Sequence, residues 1–277
     1  LNSVKVLKIC MQVNEELNQR QKFVVLVHLL EFIHAGGIAE QEDEFASTVA
    51  ETFNIGQEEF QRCRAFVELN AAIREDVAHL LYIDAAPAPT LSHAQHLHAH
   101  LDGELRVLHV PSVNLYVMRY LGADRILLNG QPMGNEHHYV LTNGSSIRPP
   151  NGQPIYYSDI LGSFMRGRGN EPIVFKAEGI TYAFPNGRVG LHDLELAETS
   201  GKLVGIMGGS GSGKSTLLNV LNGNLRPSTG RVTINGIDVH LDADRIRGVI
   251  GHVSQDDLLI EELSVYQNLF YNAKLCF

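Results

Sequence analysis

The spacing of apolar positions changes as this chain runs. Up to residue 86 it is helical. Val6, Cys10, Val13 and Leu17 share one stripe; Phe23, Leu26, Val27, Leu30 and Ile33 share a second, closed by Gly36-Gly37. Glu40, Glu42, Asp43 and Glu44 open the next helix, where acids suit the helix dipole, and Phe45, Val49 and Phe53 form its apolar face. Beyond Gly56 come Phe60, Cys63 and Val67, then Ile73, Val77 and Leu80. Short amphipathic helices joined by short loops predict an all-α bundle over residues 1–86.

Ala85-Ala86-Pro87-Ala88-Pro89-Thr90 punctuates the chain as a linker. From Leu105 to Phe164 the period becomes two. Val113, Leu115 and Val117 alternate with Asn114, Tyr116 and Met118. Asn-Gly pairs at 129–130, 143–144 and 151–152 separate Ile126-Leu127-Leu128, Tyr139-Val140-Leu141 and Ile155-Tyr156-Tyr157. That punctuation predicts a small all-β sandwich over residues 93–165. His93, His96, His98 and His100 stand at its entrance. Three imidazoles alternating along a strand could hold a transition metal or simply face solvent; no acid or cysteine in the sequence is fixed beside them. Arg166-Gly167-Arg168-Gly169-Asn170 reads as a second, solvated linker.

The third segment carries the chemistry. Leu203, Val204, Ile206 and Met207 read as a strand buried on both faces, and Leu217, Leu218 and Leu221 as the stripe of a helix ending at Gly223. Between them Gly208-Gly209-Ser210-Gly211-Ser212-Gly213-Lys214-Ser215, with Thr216 behind, fits G-x-x-x-x-G-K-[ST], the phosphate-binding P-loop. Glycines let backbone N–H groups approach a phosphate, and the helix N-terminus adds its positive end. Lys214 is expected to reach the β and γ phosphates and the Ser215 hydroxyl to ligate Mg²⁺. A Gly/Ser linker that happened to hold a lysine would lack the flanking strand and helix. A nucleoside triphosphate with Mg²⁺ is therefore the expected ligand.

Composition narrows the setting. The 277 residues hold 22 Lys and Arg against 31 Asp and Glu, a net charge of −9, which argues against a general nucleic-acid surface. Cys10, Cys63 and Cys276 form no CxxC, which suits a reducing compartment without a disulfide framework or zinc site. No apolar run reaches the roughly 20 residues of a membrane span. The chain starts at Leu1 and stops at Phe277 inside a helical pattern, so a fragment is expected.

Resemblances add to this. FVVLVHLLEFIHAGGIAEQEDEFASTVAETFNIGQEEF is similar to a TerB-type helical domain, although its turn Ala35-Gly36-Gly37 lacks that family's acid. Glu40 to Glu44 are then a solvated helix start. YVLTNGSSIRPPNGQPI resembles the last strands of a forkhead-associated domain, without recognisable phosphothreonine-reading residues, so a spacer or interaction module is expected there. Residues 173–277 resemble the first part of an ABC transporter ATP-binding cassette, a partial α/β P-loop NTPase, making the chain multidomain. Ile180-Thr181-Tyr182-Ala183-Phe184 lies where that family stacks an aromatic on adenine; Phe184 is the candidate and Tyr182 the runner-up, with two sheet-core residues as the plain alternative. RPSTGRVTINGIDV resembles the family's hairpin after the P-loop helix. IGHVSQDDLLIEELSVYQNLFYNAKL resembles its Q-loop: a strand from Val249, Ile250 and Val253 ends at Gln255, which the resemblance assigns to Mg²⁺ and the attacking water. Asp256-Asp257-Leu258, Glu262-Leu263-Ser264-Val265 and Asn268-Leu269 are most similar to the G subfamily of white-type half transporters.

That resemblance implies ATP as the nucleotide cofactor, a second cassette as dimer partner, an ABC-2-type transmembrane domain in the same polypeptide, and a place at the cytoplasmic face of the cytoplasmic membrane. The LSGGQ signature, Walker B acid, catalytic glutamate and switch histidine are absent from these residues, so ATP binding without turnover is expected. A soluble ABC-type ATPase and a nucleotide-switched scaffold are the alternatives, which further sequence would separate.

Overall fold

A computed structural model describes residues 3–36, 40–68, 79–87, 95–135, 137–166, 172–255 and 259–276. The chain forms two compact units, Leu1–Ile160 and Leu161–Phe277. Ile73, Val77, His93, Arg168 and Asp256-Asp257-Leu258, singled out above, lie outside the described residues. No helix among the described residues is long and apolar enough to cross a membrane.

In the first unit the predicted stripes become α1 (Ser3–Glu16), α2 (Gln19–Gly36), α3 (Glu40–Thr52) and α4 (Gln57–Glu68). A reciprocal cap starts α2: Gln21 N–H donates to Asn18 Oδ1 at 3.0 Å and Asn18 N–H to Gln21 Oε1 at 2.9 Å. Phe23, Leu26, Phe53, Phe60, Cys63 and Phe66 are all but fully buried between the helices. One expectation fails here. Leu80 belongs to a strand, β1 (Leu80–Asp84), and not to a last helix. The run Leu80-Leu81-Tyr82-Ile83 is apolar at every position, and both of its faces are covered. A continuous run of this kind carries no period that separates strand from helix.

β1 lies in a five-stranded sheet of order β2-β1-β3-β4-β7, in which β2 (Gln95–His98) is parallel to β1, while β3 (Glu104–Val110), β4 (Leu115–Leu121) and β7 (His138–Leu141) are antiparallel. Alternation sets its two faces. Leu80, Tyr82, Leu108, Val110, Leu115 and Val117 join the same apolar cluster as the helices, and Leu81, Ile83, Leu105, Val107, Met118 and Tyr120 are buried on the other side. The expected bundle and β domain therefore share one core. A smaller sheet, of order β6-β5-β8-β9, uses β5 (Leu127–Leu128), β6 (Gln131–Pro132), β8 (Ser146–Arg148) and β9 (Ile155–Tyr156). The period-two stretch ends earlier than expected, because Tyr157–Arg166 is a helix, α5, that leads into the second unit. Arg166, expected in the linker, is its last residue.

The second unit is built on an antiparallel sheet of order β11-β10-β12-β13, from β10 (Val174–Ala183), β11 (Val189–Thr199), β12 (Thr229–Ile234) and β13 (Ile237–Asp238). Asn235 and Gly236, at φ 49° and 80°, make the turn between β12 and β13, as an Asn-Gly pair predicts. Helix α6 (Lys214–Leu221) lays Leu217, Val220 and Leu221 against Ala177, Ile180, Leu191, Val232 and Ile234. Short α7 (Ala243–Ile246) adds Ile246 to that core. Ser264 and Gln267 make a reciprocal cap at the start of α8 (Val265–Cys276).

Candidate nucleotide site

The glycine loop turns into α6 through Gly213, whose φ of 89° is left-handed and whose added Cβ would stand 3.0 Å from the Gly190 carbonyl oxygen. Only glycine fits both conditions. Helical geometry leaves the first N–H groups of α6, those of Lys214, Ser215 and Thr216, without intrahelical acceptors. Lys214 folds back over the loop. Its ammonium donates to the Gly208 and Gly209 carbonyls at 2.8 and 2.7 Å. The loop thus fixes a positive charge beside the open end of a helix, which is the arrangement an anion needs.

Facing the loop is the hairpin that joins β10 to β11. Phe184 N–H donates to Arg188 O, and Gly187 N–H to Phe184 O, each at 2.8 Å. The Phe184 ring lies over Gly190, where an added Cβ would come within 2.7 Å of Phe184 Cε2. Phe184, Arg188, Val189, Gly190 and His192 on this side, with Gly211 to Thr216 on the other, enclose a cleft of about 470 Å³. Tyr182 meets Phe184 edge-on, 5.1 Å between ring centres, but packs against the apolar core of the unit. Of the two candidate aromatics, Phe184 is the one that lines the cleft.

Other expected parts stand elsewhere. The run Leu203 to Met207, expected as a strand buried on both faces, has no regular structure, and Leu203 and Met207 are 102% and 93% exposed. A strand is held by neighbours that take its N–H and C=O groups. Among the described residues no strand pairs with this run, and the four strands of the unit pair only with one another. Val249 to Gln255 is likewise not a strand; Val249 and Ile250 pack on the core, whereas Val253 is 93% exposed. Gln255 is exposed and is not among the residues lining the cleft. Gly208, Gly209 and Ser210 form the outer part of the loop, with Gly208 and Gly209 held against Lys214.

Arg188, Val189, Gly190 and His192 join the cleft without having stood out in the sequence. The signal for them is Pro185-Asn186-Gly187, a turn that folds the chain back beside Phe184. The entrance histidines are split between partners. His96 Nε2 lies 2.9 Å from Asp84 Oδ1, while His98 holds the Ala86 carbonyl at 3.0 Å and meets His100 edge-on. Among the described residues no group of three or more His, Cys, Asp or Glu side chains is arranged to hold a metal.

Residues 191–275 match the family described as ABC transporter. Among relatives, the spermidine/putrescine import ATP-binding protein PotA of Mycoplasma genitalium is 36% identical over 106 residues, 38% of this chain and 19% of that protein. The cobalt import ATP-binding protein CbiO of Rhodobacter capsulatus is 52% identical over 63 residues, covering 23% and 22%. The ABC transporter ATP-binding/permease protein Rv1747 of Mycobacterium tuberculosis is 36% identical over 97 residues, covering 35% and 11%. The chain thus spans 22% or less of the length of each of these relatives. These matches support an ABC ATP-binding cassette in the carboxy-terminal unit.

Proposed function

We propose that the second unit is the nucleotide-binding part of an ABC transporter, in which ATP binding and hydrolysis drive a substrate across the cytoplasmic membrane. The observation that carries this reading is the shared cleft: an aromatic ring on one wall and a lysine-bearing phosphate loop on the other. The residues fit Mg-ATP. Gly208 to Gly213 and the first amides of α6 cradle the phosphates, and Lys214 neutralises the β and γ groups. Phe184 stacks on the adenine. The Ser215 hydroxyl, on the cleft wall, serves as a ligand to Mg²⁺. The family resemblance would give Gln255 a contact to that ion and to the attacking water, although Gln255 is not among the residues lining the cleft. Bound Mg²⁺ would supply neutralisation of phosphate charge.

The same reading supplies the partners: a second cassette packed head to tail, and an ABC-2-type membrane domain of the white-type arrangement, with the unit at the cytoplasmic face. The first unit is TerB-like in its helices, and its strands, the last of them similar to a forkhead-associated domain, serve as a spacer or interaction module. These 277 residues contain no LSGGQ sequence, so they bind ATP without steady turnover. Titration with mant-ATP and Mg²⁺ tests this. Lys214→Ala is expected to weaken binding at least tenfold, about 1.4 kcal/mol, with no Lys214-dependent phosphate release from either protein. Equal affinity of the two proteins, or steady Lys214-dependent hydrolysis, contradicts the reading.

A further inference from the structure

The cleft is lined by a second cationic residue that the P-loop pattern does not contain. Among the described residues its lining includes Arg188 and Lys214 and no aspartate or glutamate. Lys214 is already engaged with two loop carbonyls. Arg188 is held in place by its backbone: its carbonyl accepts from Phe184 N–H at 2.8 Å and its own N–H donates to Asn186 Oδ1 at 3.1 Å. Its guanidinium makes no ion pair with any described residue. In the same unit Arg231 pairs with Glu178, Arg247 with Asp244, and Lys202 with Glu198. An arginine whose backbone is held at the rim of a cleft lined by no acid among the described residues, in a chain of net charge −9, is placed to receive an anion.

Resting on the nucleotide reading, we propose that Arg188 binds the nucleotide's phosphate chain at its nucleoside end and makes the cleft select nucleotides over nucleosides. Position decides which phosphate. Arg188 shares its turn with Phe184, so it stands at the base side, while Lys214 and the amides of α6 occupy the far end. The α-phosphate is the group between them. A bound triphosphate carries more negative charge than one ammonium and one divalent cation offset, and the guanidinium supplies the remainder as a charge-assisted hydrogen bond.

The test is a set of equilibrium titrations of wild type, Arg188→Ala, Arg188→Lys and Lys214→Ala with ATP, ADP, AMP and adenosine, each as competitor against mant-ATP. Arg188→Ala is expected to weaken ATP, ADP and AMP by a similar factor, about five- to twentyfold, and to leave adenosine unchanged. Arg188→Lys should recover part of the loss, and the loss should shrink as salt rises. Lys214→Ala should instead weaken ATP far more than AMP. Arg188 is exposed, so its substitution should not move the melting temperature. If wild type binds ATP and Arg188→Ala matches it for every phosphate, the Arg188 assignment is overturned while the nucleotide reading stands. The assignment is overturned in the same way if adenosine weakens as much as ATP. If wild type binds none of the four, the nucleotide reading fails and takes this assignment with it.

Discussion

The two units treat the same kind of residue in opposite ways. In the first, an apolar run such as Leu80 to Ile83 is paired on both edges and covered on both faces, between β2 and β3 and beneath the helices. In the second, Leu203 to Met207 is equally apolar yet pairs with no strand among the described residues, with Leu203 and Met207 in solvent. Leu259, Ile260, Tyr266, Leu269 and Phe270 are exposed there too. Burial of apolar area is what stabilises a fold, at roughly 25 cal/mol per Å². The first unit is therefore the tightly held part of the molecule, and the second holds its site on a small core with apolar surface left over. Both apolar runs look alike in the sequence; the difference lies in whether neighbouring strands are at hand.

The sharpest way to break this contrast is in the core of the first unit. Phe60 is 1% exposed, and Phe60→Ala is expected to cost about 3–5 kcal/mol in urea denaturation. A cost under about 1 kcal/mol would show that the shared core is not tightly packed.

Acid should also act on the first unit first. Burial, with the Arg119 cation nearby, lowers the His138 imidazole to about 4. Its neighbours are Glu31 and His28 from α2 and the ring of Phe66 from α4. Burial pushes Glu31 up, but hydrogen bonds from His137 and His138 outweigh it and hold the carboxyl below its ordinary value of 4.5. Both signs point the same way. Between pH 6.5 and about 4 the unfolded chain protonates at this histidine and the folded one does not, so stability falls by up to about 3 kcal/mol. Glu31 adds stability above its unfolded value that is lost as pH drops through its lower folded one. Melts from pH 7 to 4 should show this loss, and His138→Phe should flatten it.

Nucleotide should act on the second unit alone. Mg-ATP at about 100 times the wild-type Kd is expected to stabilise that unit by about 2.7 kcal/mol, and at the same concentration to stabilise Lys214→Ala by about 1.4 kcal/mol or less. Smaller still, Phe184→Ala should weaken ATP by about 1 kcal/mol through lost stacking, roughly fivefold. Tyr182→Phe, which keeps the packed ring, should leave affinity unchanged. Smallest of all is Leu203→Ala, expected within about 0.5 kcal/mol of wild type because the side chain is already in water. A loss comparable to that of Phe60→Ala would mean that the exposed run is buried in solution.

Local signals are the readable ones. The stripes from Cys10 to Val67, the Asn235-Gly236 turn and the loop from Gly208 to Ser215 each declare themselves within a few residues. What depends on distant partners is not readable. β1 reads as helix because its run is apolar throughout. Prolines suggest a boundary near residue 86, although β1 just before it pairs with β2 and β3 beyond. Leu203 to Met207 reads as buried because a pattern states what a segment prefers to meet and not what is beside it. A lone arginine after a turn, as Arg188 is, means nothing until the turn places it across from a phosphate loop.

Hydrogen exchange of backbone amides, followed by residue with and without Mg-ATP, tests the central claim most directly because it locates binding on the chain. ATP is expected to slow exchange at Gly209 to Leu217 and at the turn from Phe184 to Gly190 and to leave α1 to α4 unchanged; in Lys214→Ala the slowing at both places should need at least tenfold more ATP. ATP binding that leaves Gly209 to Leu217 exchanging at its unliganded rate would contradict the account.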